Sequence, residues 1–380
     1  MKIAYIYDCI YPYIKGGAEK RIWEIAKRLA RRGHEVHIYG IKWWSGEDII
    51  EREGVFLHGV CPPAELYTDG RRSIRSPIYF AARVWLPLMR DDFDIVDCQQ
   101  FPYFPCISSK VYSILKGVPL AITWYEVWDR YWLEYLGKPG IFGWAIERIV
   151  LRMPDMIIPI SEKIKEDLKQ IGGHDEIMRV APNGVDFAKM DGMRADGTKS
   201  FDIIYVGRLI SHKNVNILLD AIYLLKKDRP QIRCAIIGDG PERENLLKLC
   251  KARNLAENVV FLGFVEKDED VYRYMHSSRL FVLPSTREGF PNTILEANSC
   301  GLPAIIVNGE KNAATGVVRS GYNGYILNLS PEEIAEKIGI ILRDEELMQS
   351  LQNNSRIYAG EHDWDIIVKN LEGIYGDMMR

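Results

Sequence analysis

Two stretches in the second half of the sequence combine cations, carboxylates and glycine in a way suited to binding and breaking a phosphate ester. Gly207-Arg208-Leu209-Ile210-Ser211-His212-Lys213 puts Arg208 and Lys213 within one short turn. Pro284-Ser285-Thr286-Arg287-Glu288-Gly289-Phe290-Pro291-Asn292-Thr293-Ile294-Leu295-Glu296 runs a Gly-containing loop into a helical pattern, with Pro near its first turn. A departing diphosphate needs positive charge and unused backbone N–H donors where the bond breaks. Arg208 and Lys213 would supply the charge, and the N–H groups near Gly289 and Phe290 the donors. Glu296, about one turn into the helix, is placed to accept from ribose hydroxyls, while Glu288 would face a sugar on the diphosphate. Taken singly, these are the residues of a solvated turn and an ordinary first helical turn. Their pairing after two strand ends favours the phosphate reading.

Other chemistries find less support. Asp92-Phe93-Asp94 has the spacing of a metal-binding Asp-x-Asp, but it precedes the run Ile95 to Cys98 instead of following a strand, so it reads as a surface turn. No other cluster has metal-ligand spacing; no metal is expected, and the cations do the work a metal would do. Gly238-Asp239-Gly240-Pro241-Glu242-Arg243 lacks the third Gly of a nicotinamide-binding G-x-G-x-x-G. Trp124, Trp128, Tyr131, Trp132 and Tyr135 recur as on one helix face. Such a stripe packs more often than it binds; its functional alternatives are stacking on an acceptor sugar or insertion at a membrane surface. Arg71, Arg72 and Arg75 could meet anionic headgroups nearby.

These residues need elements that hold them at strand ends. Short β-branched or aliphatic runs alternate with longer amphipathic stretches from end to end, the pattern of βα units around parallel sheets. Strands are expected at 2–7, 35–40, 95–98, 120–123 and 156–159, with the clearest helix over 18–32, stopped by Gly33. Around Pro182-Asn183-Gly184-Val185-Asp186 and the polar run 191–199 the periodicity lapses. Strands then follow at 201–206, 233–237, 259–262, 280–283 and 304–307, with helices near 214–227, 242–253, 268–276 and 292–300. Both chemical loops fall after strands, where open α/β sheets bind ligands. A last amphipathic stretch runs from Trp364 to Met379.

Composition agrees with this plan. A chain of 380 residues fits two domains, and its 47% hydrophobic and 27% charged residues are those of a globular protein. A net charge of -3 gives no case for nucleic acid as a partner. Seven Cys without a C-x-x-C pair argue against a disulfide framework or a zinc ribbon and for a reducing compartment. The first apolar run is too short for a signal peptide, and no apolar span of about 18 residues follows. These signals point to the cytoplasm, with the inner face of the cell membrane as a second place for the chain to work.

Gly207-Arg208-Leu209 with Lys213, followed by Glu288 and Glu296 with seven residues between them, resembles the retaining nucleotide-sugar glycosyltransferases of family four. That family has the GT-B fold, an α/β architecture of two Rossmann-like parallel-sheet domains facing across a cleft. Gly238-Asp239-Gly240-Pro241-Glu242, Phe261-Leu262-Gly263-Phe264-Val265 and Gly301-Leu302-Pro303 look like the family's framework segments in the same order, and the likeness runs from Lys15-Gly16-Gly17-Ala18-Glu19 to the Trp364 helix. The resemblance implies an acceptor-side domain over 1–186, a nucleotide-sugar-binding domain over 187–360, and a helix over 361–380 packing back on the first. It implies donor contacts from Gly16 and Gly17, with Gly17 bringing a backbone N–H close, and from Val265 against the base. It further implies transfer of a hexosyl-type sugar from a nucleotide diphosphate donor to a glycan, lipid-linked or small-molecule acceptor. Anomeric configuration would be retained, without metal or other cofactor. Where the family often has a His-Asp pair, this sequence reads Thr123-Trp124-Tyr125-Glu126, which gives Tyr125 and Glu126 the acceptor side and makes Glu126 the residue to test as a base. Asn308 to Ala313 lacks the paired glycines usual there. The rival readings are a nucleotide-sugar epimerase of the same architecture and a non-catalytic sugar-nucleotide binder.

Overall fold

The computed structural model describes residues 1–63, 66–68, 71–193 and 199–380. Most of the polar run 191–199, and the side chains of Arg71 and Arg72, lie outside what is described. The chain divides into two compact units, Met1–Asn183 with Trp364–Arg380, and Gly184–Asp363.

The first unit begins β1 (Lys2–Ile6), α1 (Gly17–Arg31), β2 (Glu35–Gly40), β3 (Ile49–Arg52), β4 (Val55–Gly59), β5 (Tyr67–Thr68), β6 (Arg71–Arg72) and α2 (Arg75–Met89). It continues β7 (Ile95–Gln99), α3 (Phe104–Lys116), β8 (Leu120–Trp124), α4 (Tyr131–Leu136), α5 (Gly140–Leu151), β9 (Met156–Pro159) and α6 (Glu162–Gln170). Seven strands form one sheet in the order β3-β4-β2-β1-β7-β8-β9. All pairings are parallel except β3 with β4. The central strands are buried along their whole length, which is why they read as unbroken apolar runs. The β3–β4 pair was not expected: β3 is an edge strand, mostly exposed, and its Glu51 and Arg52 hide the alternation that marks a strand.

The aromatic stripe is not one helix, a correction to the sequence reading. Trp124 ends β8 fully buried, Trp128 lies in the following loop, and α4 begins only at Tyr131. The helical spacing spans a strand end, a loop with Asp129 in the left-handed region (φ 41) and a short helix. Trp128 stacks on Phe101 with centroids 5.7 Å apart, and sits 4.5 Å from Trp132. Asp92-Phe93-Asp94 is a turn before β7, with Phe93 buried, Asp92 bonded to Lys116 and Asp94 accepting from the Lys2 backbone.

The second unit runs α7 (Phe187–Asp191), β10 (Phe201–Val206), α8 (Val215–Asp228), β11 (Cys234–Ile237), α9 (Arg243–Ala252), β12 (Val259–Gly263), α10 (Asp268–His276) and β13 (Ser278–Leu283). Then come β14 (Arg287–Glu288), α11 (Asn292–Ser299), β15 (Ala304–Val307), β16 (Lys311–Asn312), β17 (Gly324–Leu327), α12 (Pro331–Arg343) and α13 (Glu345–Glu361). Its six-stranded sheet, in the order β12-β11-β10-β13-β15-β17, is parallel throughout. The final helix, α14 (Trp364–Met378), belongs to the first unit. Its Trp364, Ile367, Val368, Leu371 and Tyr375 join one core with Ile22, Trp23, Ile25, Ala26 and Leu29 of α1.

Candidate active site

In the second sheet the strands after β10 build outward through β11 and β12 on one side, while β13, β15 and β17 build outward on the other. The loops following β10 and β13 therefore emerge side by side where the strand order reverses, the place at which open parallel sheets bind ligands. Hydrogen bonds stitch the two loops together. The Thr286 N–H donates to the His212 carbonyl at 3.1 Å, and Asn214, held in the left-handed region (φ 51), donates from Nδ2 to the Pro284 carbonyl at 3.0 Å. Across this seam Lys213 Nζ meets Glu288 Oε1 at 2.5 Å, with the two side chains only 16% and 10% exposed. Glu288 lies opposite Asn312 in the β14–β16 pairing, and the buried Asn312 donates to the carbonyls of Ser285 at 2.8 Å and Val307 at 2.7 Å. The carboxylate-bearing loop is thus fastened from both sides.

Arg208 is exposed and has no side-chain partner among the described residues. His212 reports on the whole group. Its pKa is lowered, first by desolvation and then by Lys213, with Arg287 and Arg208 acting the same way and Glu288 opposing. Three cations and one carboxylate therefore share this rim within electrostatic range of one another. Gly289 and Phe290, half-buried, form the approach to α11, and Glu296 stands one turn inside that helix, half-buried. Val265 follows the edge strand β12, where it lines a cavity of about 450 Å³ with Asp270, Arg273, Tyr274 and Ser277.

The Gly238-Asp239-Gly240 segment is what lets the β10 loop approach. A Cβ on Gly238 (φ 134) would sit 1.9 Å from the Gly207 carbonyl oxygen, and one on Gly240 (φ 158) 2.3 Å from that of Leu209. Bare Cα atoms permit the Leu209 N–H to donate to the Asp239 carbonyl at 2.9 Å.

In the first unit, Gly16 precedes α1 and Gly17 opens it, both exposed. A Cβ on Gly16 would meet Glu19 Oε2 at 2.3 Å, so a larger residue there would have to displace the Glu19 carboxylate. Tyr125 and Glu126 leave the end of β8. The Tyr125 N–H donates to Gln100 Oε1 at 3.1 Å and its hydroxyl to Gln99 Oε1 at 2.5 Å, while Gln100 Nε2 and Trp124 Nε1 both donate to the Glu126 carbonyl.

With both sheets and their loops defined, comparison with known proteins decides the family. Residues 192–358 match the family described as "Glycosyl transferases group 1" and residues 15–189 match "Glycosyltransferase Family 4". An uncharacterized glycosyltransferase of Haemophilus influenzae is 30% identical over 266 residues, 70% of this chain and 72% of its own. The chain belongs to the group 1/family 4 glycosyltransferases. Sucrose-phosphate synthase from Thermosynechococcus elongatus has the same fold, with a TM-score of 0.83 at 18% identity over 99% of this chain and 98% of that one. So does Anabaena HepE, solved in complex with UDP-glucose, with a TM-score of 0.74 at 20% identity over 99% and 100%. The two Rossmann-like units are those of a GT-B glycosyltransferase.

The sequence reading missed what steadies the Tyr125 loop of this glycosyltransferase. Asp97, buried in the middle of β7, accepts from the Tyr375 hydroxyl at 2.6 Å, Thr123 Oγ1 at 2.9 Å and Gln99 Nε2 at 3.0 Å. Burial pushes its carboxyl up to about 6 against the pull of those hydrogen bonds. The available signal was an Asp inside the otherwise apolar run Ile95-Val96-Asp97-Cys98. Among the described residues no three His, Cys, Asp or Glu side chains gather as a metal site would require, and no helix is long and apolar enough to cross a membrane.

Proposed function

We propose that this glycosyltransferase moves a hexosyl-type sugar from a nucleotide diphosphate to a glycan, lipid-linked or small-molecule acceptor with retention and without a metal, working in the cytoplasm. The observation that carries the reading is the Lys213–Glu288 pair beside Arg208 at the switch point of the second sheet. An arriving diphosphate offers oxygens to Arg208 and to the remaining N–H bonds of Lys213, while Lys213 keeps Glu288 aimed at the sugar. Gly289 and Phe290 add backbone donors ahead of α11, and Glu296 takes the ribose hydroxyls. Val265 would meet the base, and Gly16 and Gly17 the donor's far side. The bond from the anomeric carbon to the phosphate oxygen breaks as the acceptor oxygen bonds to the same face, and the acceptor proton passes to the departing diphosphate. Tyr125 and Glu126 stand on the acceptor side. HepE, solved with UDP-glucose, supports a donor of this class.

Thermal melting with uridine, guanosine and adenosine diphosphate sugars tests the reading, since a bound donor raises stability by mass action. One donor should raise the midpoint, and Arg208→Ala should abolish the rise. A rise that survives in both Arg208→Ala and Lys213→Ala would place the diphosphate elsewhere. Incubation with donor alone separates the rivals: an inverted sugar without transfer marks an epimerase, and binding without turnover on any acceptor marks a binder.

A further inference from the structure

More than half of the exposed large apolar side chains among the described residues lie between positions 74 and 149, in the first unit. Ile78 and Leu86 project from α2, and Val111, Ile114 and Leu115 from α3, with Ile114 67% and Leu115 61% exposed. The two helices are tied side by side, with Ser108 Oγ donating to the Ala81 carbonyl at 2.7 Å, so these side chains belong to one surface. A single exposed Leu is ordinary, but adjoining rows on neighbouring helices need a partner.

Charge identifies the partner. Neither α2 nor α3 contains an acidic residue. Arg75, Arg83 and Arg90 are exposed beside the apolar row of α2 and have no acidic partner among the described residues; the Arg83 guanidinium lies 5.8 Å from the Tyr79 ring centre. Lys110 and Lys116 of α3 pair with Asp155 and Asp92. Apolar rows flanked by uncompensated arginines match a layer of anionic headgroups over hydrocarbon. A second copy docked face to face would set arginines against arginines.

We propose that the α2–α3 face of this glycosyltransferase is a docking surface for an anionic lipid bilayer. The surface belongs to the first unit and the Arg208–Lys213 rim to the second, and the proposal does not rest on the donor reading. It also differs from the aromatic stripe, whose rings pack largely on one another.

Flotation of the full chain with vesicles tests this. Vesicles of phosphatidylcholine with about one-third phosphatidylglycerol should bind at least about tenfold more protein than phosphatidylcholine alone. Ile114→Glu with Leu115→Glu, and separately Arg75→Gln with Arg83→Gln, should each lower that binding by about tenfold or more. These side chains are exposed, so the melting temperature and the donor-induced rise should stay as in the parent, which keeps a failure here distinct from a failure of the donor reading. Equal binding to neutral vesicles, no binding, or undiminished binding by the variants would overturn the proposal. So would a dimer in sedimentation that Ile114→Glu with Leu115→Glu dissolves without any vesicle binding, because the face would then join two copies.

Discussion

At the scale of single residues, Arg208 and Lys213 do different structural work and should fail differently. Arg208 is exposed and unpartnered among the described residues, so Arg208→Ala should lower turnover by about 10²- to 10³-fold while leaving the melting temperature unchanged. Lys213→Ala should cost similar activity and also about 1–3 kcal/mol of stability, because it strands the nearly buried Glu288 carboxylate. Urea unfolding checks this, and adding Glu288→Gln to Lys213→Ala should recover most of the stability and none of the activity. Both cations were legible in sequence, since their types and their place after a strand suffice to suggest an anion. The attachment of Lys213 to Glu288 was not, because the partner is 75 positions away. Asp97 was overlooked for a similar reason: the nearer of its two hydroxyl partners in space, Tyr375, is 278 positions distant.

At the scale of elements, two loops decide the site, and each hangs on one small feature. Gly238→Ala should destabilise the fold by roughly 2–4 kcal/mol, since both its φ of 134 and the Gly207 carbonyl at 1.9 Å exclude a Cβ. Asn312→Ala removes the donors that fasten Ser285 and Val307, and should lower stability by about 2–3 kcal/mol in denaturant titration together with turnover. Unchanged activity there would mean the Glu288 loop holds its place without that brace. Strands buried on both faces were legible because an unbroken apolar run has few other homes. The exposed β3 edge was not, since charged residues erase alternation, and the aromatic stripe misled because helical spacing can arise across a strand, a loop and a short helix.

At the scale of the whole molecule, the last helix is part of the first unit's core through α1, and through the hydrogen bonds from Tyr5 to Tyr375 to Asp97. Burial raises the Asp97 carboxyl from 3.8 to about 6. The folded chain therefore holds that proton more tightly than the unfolded one, and the group's contribution to stability falls as pH rises between those values. Asp97→Asn cannot ionise, so its melting temperature relative to the parent should climb from about pH 4 to about pH 7. A difference that does not vary with pH would mean Asp97 is charged throughout in the folded chain.

By itself the sequence determined the local alphabet of this glycosyltransferase: apolar runs long enough only for buried strands, amphipathic helices between them, and cations and glycines at strand ends. Those depend on near neighbours along the chain, and periodicity reports them directly. Only the tertiary structure decided that the β10 and β13 loops meet, that Glu288 closes on Lys213, and that α2 and α3 leave an arginine-flanked apolar face uncovered. Each of these is a meeting of segments far apart in sequence, set by strand order and helix packing, which no local pattern of residues encodes.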